Sequence, residues 1–266
     1  MHIEENRLGF IGFGHMAQSI FQALEKAKLI PHSQILFHRR DPAKAKANEQ
    51  KFSITSTSLA NLVERSNIIL LCVRPNQAPL VMQELRKTKF HSKMVISILA
   101  GVKISALHTH GNQIVRVMPN IASAVGLGMS LIAFGPDSSL EFRSTVQVLF
   151  SALGKTAEID ESQMDLGTGM SGSGPAFVIE LIDAMAKVGV EGGLSPEKAL
   201  TIAAQTFLGA AALILNGSSP SNLLNQITVE GGTTIAGLNV LHEQAVCSRF
   251  QRVILAAAAR SKELSE

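Results

Sequence analysis

Leu8-Gly9-Phe10-Ile11 followed by Gly12-Phe13-Gly14-His15-Met16-Ala17 constrains the fold of this chain more than any other stretch. The apolar run predicts a short buried strand. The GxGxxA pattern after it predicts a sharp turn that opens into a helix from Met16 to about Lys28, with Ile20, Phe21 and Leu24 on one face. Gly12 makes the tight turn, Gly14 lets a pyrophosphate approach the backbone, and Ala17 lets helix and strand pack closely. The helix N-terminus at His15 and Met16 offers free amides and a positive dipole end to phosphate. Strand, turn and helix in this order predict a dinucleotide-binding sheet.

The next segments extend that sheet. A second strand is expected at Ile35-Leu36-Phe37, and the residue at its tip reads the ribose. An acid there would favour NAD. This chain has His38-Arg39-Arg40-Asp41, so Arg39 and Arg40 are either ordinary surface charge or partners for the 2′-phosphate of NADP. The cofactor expected is therefore NADPH, with NADH as the second choice. Asp41 before Pro42 reads as a helix N-cap with proline at the first helical position. Asn67 to Val73 is a continuous apolar run, a strand buried on both faces, and it ends in Arg74-Pro75. Strands at Met94 to Ile98 and Ile114 to Met118 end in Leu99-Ala100-Gly101 and Pro119-Asn120. Strand ends line the ligand crevice of such a sheet, which nominates Val73, Arg74, Pro75, Ala100, Gly101 and Asn120 as cofactor-binding. A further strand at Met129 to Phe134 and a helix at Glu141 to Leu153 close this part.

Composition excludes several classes. The 266 residues are 46% hydrophobic and 17% charged, with no Trp or Tyr and a net charge of +3. Such a chain is globular rather than disordered, and its bases are neither clustered nor interleaved with aromatics, which argues against nucleic acid. Cys72 and Cys247 read as free thiols, and no secretory signal is visible, so the expected location is the cytoplasm. The most apolar helical run, Ile202 to Leu215, is shorter than a membrane span. His108 and His110 lack neighbouring ligands at metal spacing, and no metal is expected.

The second half is different in kind. Only ten charged side chains fall between Leu166 and Ala259. Helices are expected at Pro175 to about Val190, at Pro196 to Leu215 with Ser195 as N-cap and Asn216-Gly217 as stop, and at roughly Ala245 to Lys262. Helices apolar nearly all round must be buried, and about 100 residues cannot bury them alone, so a homodimer through these helices is expected. The domains expected are 1–157, a Rossmann-type doubly wound sheet, and 158–266, an all-α dimerisation domain: an α/β protein overall. Gly169-Met170-Ser171-Gly172-Ser173-Gly174-Pro175 near that junction is either a linker with a helix start or a close-approach turn. Gly231-Gly232-Thr233-Thr234 is a glycine turn into a helix N-terminus. It is suited to a carboxylate, or is a plain capped helix with Thr233 as N-cap.

Taken together these blocks resemble the pyrroline-5-carboxylate reductases. The match includes Gly9 to Met16, Arg40, Val73-Arg74-Pro75, Ser97 to Val102, Arg116-Val117-Met118-Pro119-Asn120, Ser171 to Phe177, Gln205-Thr206 and Gly231 to Thr234. The resemblance implies NAD(P)H-dependent reduction of a cyclic imine, 1-pyrroline-5-carboxylate, to L-proline, the last step of proline biosynthesis, by a homodimer that often assembles further. It implies that Thr234 and Ser173 serve the reaction, and that Ser171, Gly231, Gly232, Thr233 and Thr234 bind the substrate, with the loop coming from the partner subunit. It also places Glu161 near the site, where a structural role is equally open.

The chain departs from the family pattern at Val229-Glu230, where Ser-Pro is usual, at Leu224, where a base is usual, near Ser58-Leu59, and at Arg74, where Lys is usual. Glu230 adds a negative charge and Leu224 removes a positive one, which lowers the charge near the expected carboxylate site by two units. They motivate two alternatives: a reductase of a less anionic cyclic imine, and a non-catalytic NADP-binding dimer.

Overall fold

Strand β1 (Leu8–Ile11) is completely buried and stands third from one edge of an eight-stranded sheet. The computed structural model describes residues 6–109 and 111–264; His110, most of the charged N-terminal stretch and the last two residues lie outside them. After β1 come α1 (His15–Lys26), β2 (Ile35–His38), α2 (Pro42–Phe52), β3 (Thr55–Ser56), α3 (Leu59–Arg65), β4 (Ile68–Leu71), α4 (Ala78–Leu85), β5 (Met94–Ser97), α5 (Ile104–Leu107) and β6 (Gln113–Met118). Then follow β7 (Gly128–Phe134), α6 (Leu140–Ser151), β8 (Gly154–Glu158) and α7 (Met164–Gly167). The helices beyond are α8 (Gly174–Glu191), α9 (Pro196–Leu215), α10 (Pro220–Ile227), α11 (Thr233–Glu243) and α12 (Val246–Glu263).

The strand order is β3-β2-β1-β4-β5-β6-β7-β8. β1 pairs in parallel with β2 on one side and β4 on the other, so the order of strands reverses beside it. That reversal opens a crevice at the carboxyl ends of the two strands. The apolar runs form strands because both faces are covered: Phe10, Ile96, Val115 and Ile132 pack in one layer, and Ile69, Leu71, Val95 and Ile114 in the other. β7 runs antiparallel to β6 and β8 runs parallel to β7, so the sheet departs from an all-parallel doubly wound pattern on that side.

Compactness divides the chain into two units. One runs to Ser173 and includes the chain from Ala257; the other is Gly174–Ala256. In the second unit only Ala186, Ala199 and Ala203 form a buried apolar cluster, where α8 meets α9. Ile179, Val188, Ile202, Leu215, Val240 and Leu255 are each more than half exposed within one chain. Ser195 caps α9 through Lys198 N–H at 3.4 Å, and Asn216 with left-handed Gly217 (φ +95°) ends it. The whole helix has 20 residues and a mean hydropathy of 1.6. By length and composition alone it could cross a membrane, which corrects the shorter span of Ile202 to Leu215. α11 starts at the expected glycine turn and α12 one residue beyond Ala245, where the last helix is expected to begin and where φ is +51°; α10 is an addition to the expected helices.

Candidate active site

The turn after β1 admits only glycine at its first position. Gly12 has φ +87°, and a Cβ there would stand 2.8 Å from the Cys72 carbonyl oxygen and 2.9 Å from Val73 Cγ1. Its N–H donates to His38 O at 2.9 Å, tying the turn to the end of β2. Gly14 is the N-cap of α1 and has no side chain to cap the helix. Nothing lies within 4 Å of where its Cβ would be, so the turn is open on that side, and the first amides of α1 have no side-chain cap.

Between these glycines Phe13 points inward. Its ring is 1% exposed and packs on Phe10, Phe21, Phe37 and Phe52 at centroid distances of 4.8–6.1 Å. Its carbonyl accepts from Arg39 Nη1 at 2.8 Å and from Gln18 Nε2 and Asn48 Nδ2 at 3.3 Å each. Gln18 and Asn48 escaped the sequence reading, since neither belongs to the glycine pattern and Asn48 lies 35 residues from Phe13.

A cleft of about 540 Å³ opens over this turn. It gathers Gly12, Gly14, His15, Met16, Arg39, Arg40, Val73 and Arg74 from the expected cofactor set, and adds His38, Cys72 and Gln77. Arg40 and Arg74 are exposed, while Arg39 is half-buried. Asp41 is the N-cap of α2, as expected: it accepts from Lys44 N–H at 3.1 Å, and that bond holds its carboxyl below the usual range. Burial pushes the Cys72 thiol up, so the sulfur beside the turn stays protonated and is a poor nucleophile. The site fits a dinucleotide: a glycine cradle, an uncapped helix N-terminus and basic side chains at the tip of β2.

Pro75, Ala100, Gly101 and Asn120 do not line this cleft. Pro75 starts a short 3-10 turn, and Ala100 and Gly101 (φ +74°) shape the turn after β5. Asn120 is 8% exposed and serves the backbone: its Oδ1 accepts from Ala122 N and Met129 N, and its Nδ2 donates to Ser171 O at 3.1 Å. Ser171 lies in a π-helical turn, Thr168–Gly172, in which Ser173 N donates to Thr168 O at 2.9 Å. Its Oγ is buried with no hydrogen-bond partner among the described residues. The stretch from Gly169 is therefore a widened helical turn clamped by Asn120, a distortion that recurs at functional sites, rather than a linker.

Glu161 has a defined place. Its Oε1 accepts from Ile104 N at 2.7 Å and from Arg116 Nη1 at 3.0 Å. It ties β6, the start of α5 and the approach to the π turn together.

In the second unit Gly232, not Thr233, is the N-cap of α11, and no side chain caps the helix. Thr233 is the first helical residue and is exposed; Thr234 is half-buried. The expectation of Thr233 as cap fails because Gly231 at φ +72° turns the chain one residue earlier. Glu230 is exposed, and Leu224 on α10 is 45% exposed. Among the described residues no group of three or more His, Cys, Asp or Glu could hold a metal ion.

Comparison with known proteins decides the family. Residues 161–264 match the family described as pyrroline-5-carboxylate reductase dimerisation, and residues 7–101 match NADP oxidoreductase coenzyme F420-dependent. A pyrroline-5-carboxylate reductase of Methanosarcina acetivorans is 38% identical over 99% of this chain and 100% of its own length. The chain belongs to the pyrroline-5-carboxylate reductase family. Its likeness extends to the reductase of Pisum sativum, 35% identical over 97% of this chain and 96% of that one. A Plasmodium falciparum pyrroline carboxylate reductase solved with NADP bound superposes with a TM-score of 0.88, at 28% identity and 99% coverage of both chains. The family's dimerisation region thus covers the helices whose apolar side chains a single chain leaves exposed.

Proposed function

We propose that this chain is a homodimeric, NADPH-dependent reductase that converts 1-pyrroline-5-carboxylate to L-proline. The observation that carries this reading is full-length identity to named reductases, coupled to a glycine cleft with an exposed arginine at the tip of β2. Gly12, Gly14 and the N-terminus of α1 hold the pyrophosphate, and Arg40 holds the 2′-phosphate. When bound, the nicotinamide supplies the hydride.

The protein's task is orientation. The imine nitrogen takes its proton from water, and the C=N carbon is then electrophilic enough to need no dedicated general acid. Holding donor and acceptor in line supplies a large share of the rate. Thr233 and Thr234, with the uncapped amides of α11, hold the substrate carboxylate. Ser171 and Ser173 border the ring. The apolar face of α9 packs against a second copy rather than lipid. Two free cysteines suit the cytoplasm.

The reading is tested by incubating the protein with NADPH and 1-pyrroline-5-carboxylate. Stoichiometric NADPH oxidation and L-proline are expected; NADPH binding without turnover would make it a non-catalytic dimer. Thr234→Ala is expected to raise KM about tenfold, the scale of one hydrogen bond to a charged group, with a smaller fall in kcat. An unchanged KM would remove Thr234 from carboxylate binding. Arg40→Ala is expected to weaken NADPH about tenfold and to spare NADH, read by dinucleotide titration. Equal losses would show that Arg40 does not read the 2′-phosphate.

A further inference from the structure

The two arginines at the tip of β2 are not equivalent, and the difference assigns one of them a role other than reading phosphate. Both line the cleft, and Arg40 is exposed. Arg39 is half-buried, and its Nη1 donates to the Phe13 carbonyl at 2.8 Å. That oxygen also takes Asn48, which is 8% exposed, and Gln18. Donors from the end of β2, from α1 and from α2 thus converge on one peptide of the glycine turn.

The consequence follows from peptide geometry. A trans peptide is planar, so its C=O and N–H point in opposite directions. Fixing the Phe13 oxygen inward fixes the Gly14 N–H on the opposite side of the peptide. The Phe13 ring, buried among four other phenylalanines, pins the same residue from the other side. We infer that Arg39 is a positioning residue: it holds the Phe13–Gly14 peptide in its phosphate-binding orientation and is not the reader of the 2′-phosphate. It serves NADPH and NADH alike, because the pyrophosphate is common to both. This rests on the dinucleotide reading above.

The test is titration of NADPH and NADH against the folded wild type and three variants, with melting temperatures recorded alongside. Arg39→Met is expected to weaken both dinucleotides by the same factor, about tenfold, the scale of one charge-assisted hydrogen bond. Arg39→Lys, which keeps one donor, is expected to restore part of the affinity for both. Asn48→Ser acts on the same oxygen from a different element and is expected to cost both dinucleotides equally. A loss in Arg39→Met confined to NADPH, or no loss for either, would overturn the inference while leaving the reductase reading intact. A wild-type protein that bound neither dinucleotide would overturn both. Since the titrations report on folded protein, a role confined to stability would lower the melting temperature and leave both affinities in place, and that outcome would also overturn it.

Discussion

Phe13→Ala is expected to destabilise the first unit by about 3–5 kcal/mol, the usual cost of deleting a buried phenylalanine ring. The ring is 1% exposed and lies 4.8 Å from Phe37, 5.4 Å from Phe10 and 5.6 Å from Phe52. Its removal leaves a void that the flanking glycines cannot fill, and it frees the peptide on which Arg39, Asn48 and Gln18 converge. The effect is therefore double: a melting temperature lower by about 10 °C and a weaker grip on dinucleotide. Phe13→Leu keeps most of the volume and is expected to cost less than about 1.5 kcal/mol. Thermal melts of both variants check this, and a wild-type melt for Phe13→Ala would mean that the aromatic cluster does not anchor the turn.

Glu161→Ala is the second large effect. The Arg116 side chain is 5% exposed and pairs with Glu161, whose carboxylate is 34% exposed. The pairing uses Arg116 Nη1, and Nη2 has no hydrogen-bond partner among the described residues. Removing the carboxylate strands a charge inside the protein, which costs about 3–5 kcal/mol when one partner of a buried pair is lost. The partial exposure of Glu161 favours the lower end. It also releases Ile104 N–H, so the start of α5 loosens with it. The sign of the remedy is distinctive: Arg116→Met added to Glu161→Ala removes the stranded charge and is expected to recover part of the loss. A double variant less stable than Glu161→Ala alone would show that Arg116 does its work through other contacts.

The parts of this fold that could be read from sequence are those in which one local property decides the outcome. β1, the glycine turn and α1 were readable because only glycine tolerates the position of Gly12, and because β4 and β5 are apolar on both faces. Asp41-Pro42 and Ser195-Pro196 announced their helices by capping chemistry. β8 was not readable. The stretch from Gly154 to Glu158 is polar and half exposed, and it pairs with β7 at a point where a Cβ on Gly154 would collide with the Gly128 backbone. The break between α11 and α12 falls at Ala245, where the last helix is expected to begin, although alanine carries no signal for the positive φ it adopts there.

The site shows the same division. The cleft residues next to the glycines were found, but what separates Arg39 from Arg40 is a contact with Phe13, 26 residues away. Asn120, expected at the cofactor, donates to the Ser171 carbonyl, a pairing set by the meeting of β6, β7 and the π turn. Glu161 could be placed near the site only by resemblance. Its bonds to Arg116 and Ile104 depend on the folded sheet.

The most direct test of the central claim is kcat/KM with NADPH for 1-pyrroline-5-carboxylate against 1-pyrroline, the same ring without its carboxylate. A preference for the carboxylated ring of at least about tenfold is expected, the scale of charge-assisted bonds to a carboxylate held at the N-terminus of α11. Equal or better turnover of the uncharged ring would contradict it and would fit the negative charge that Glu230 brings beside those threonines.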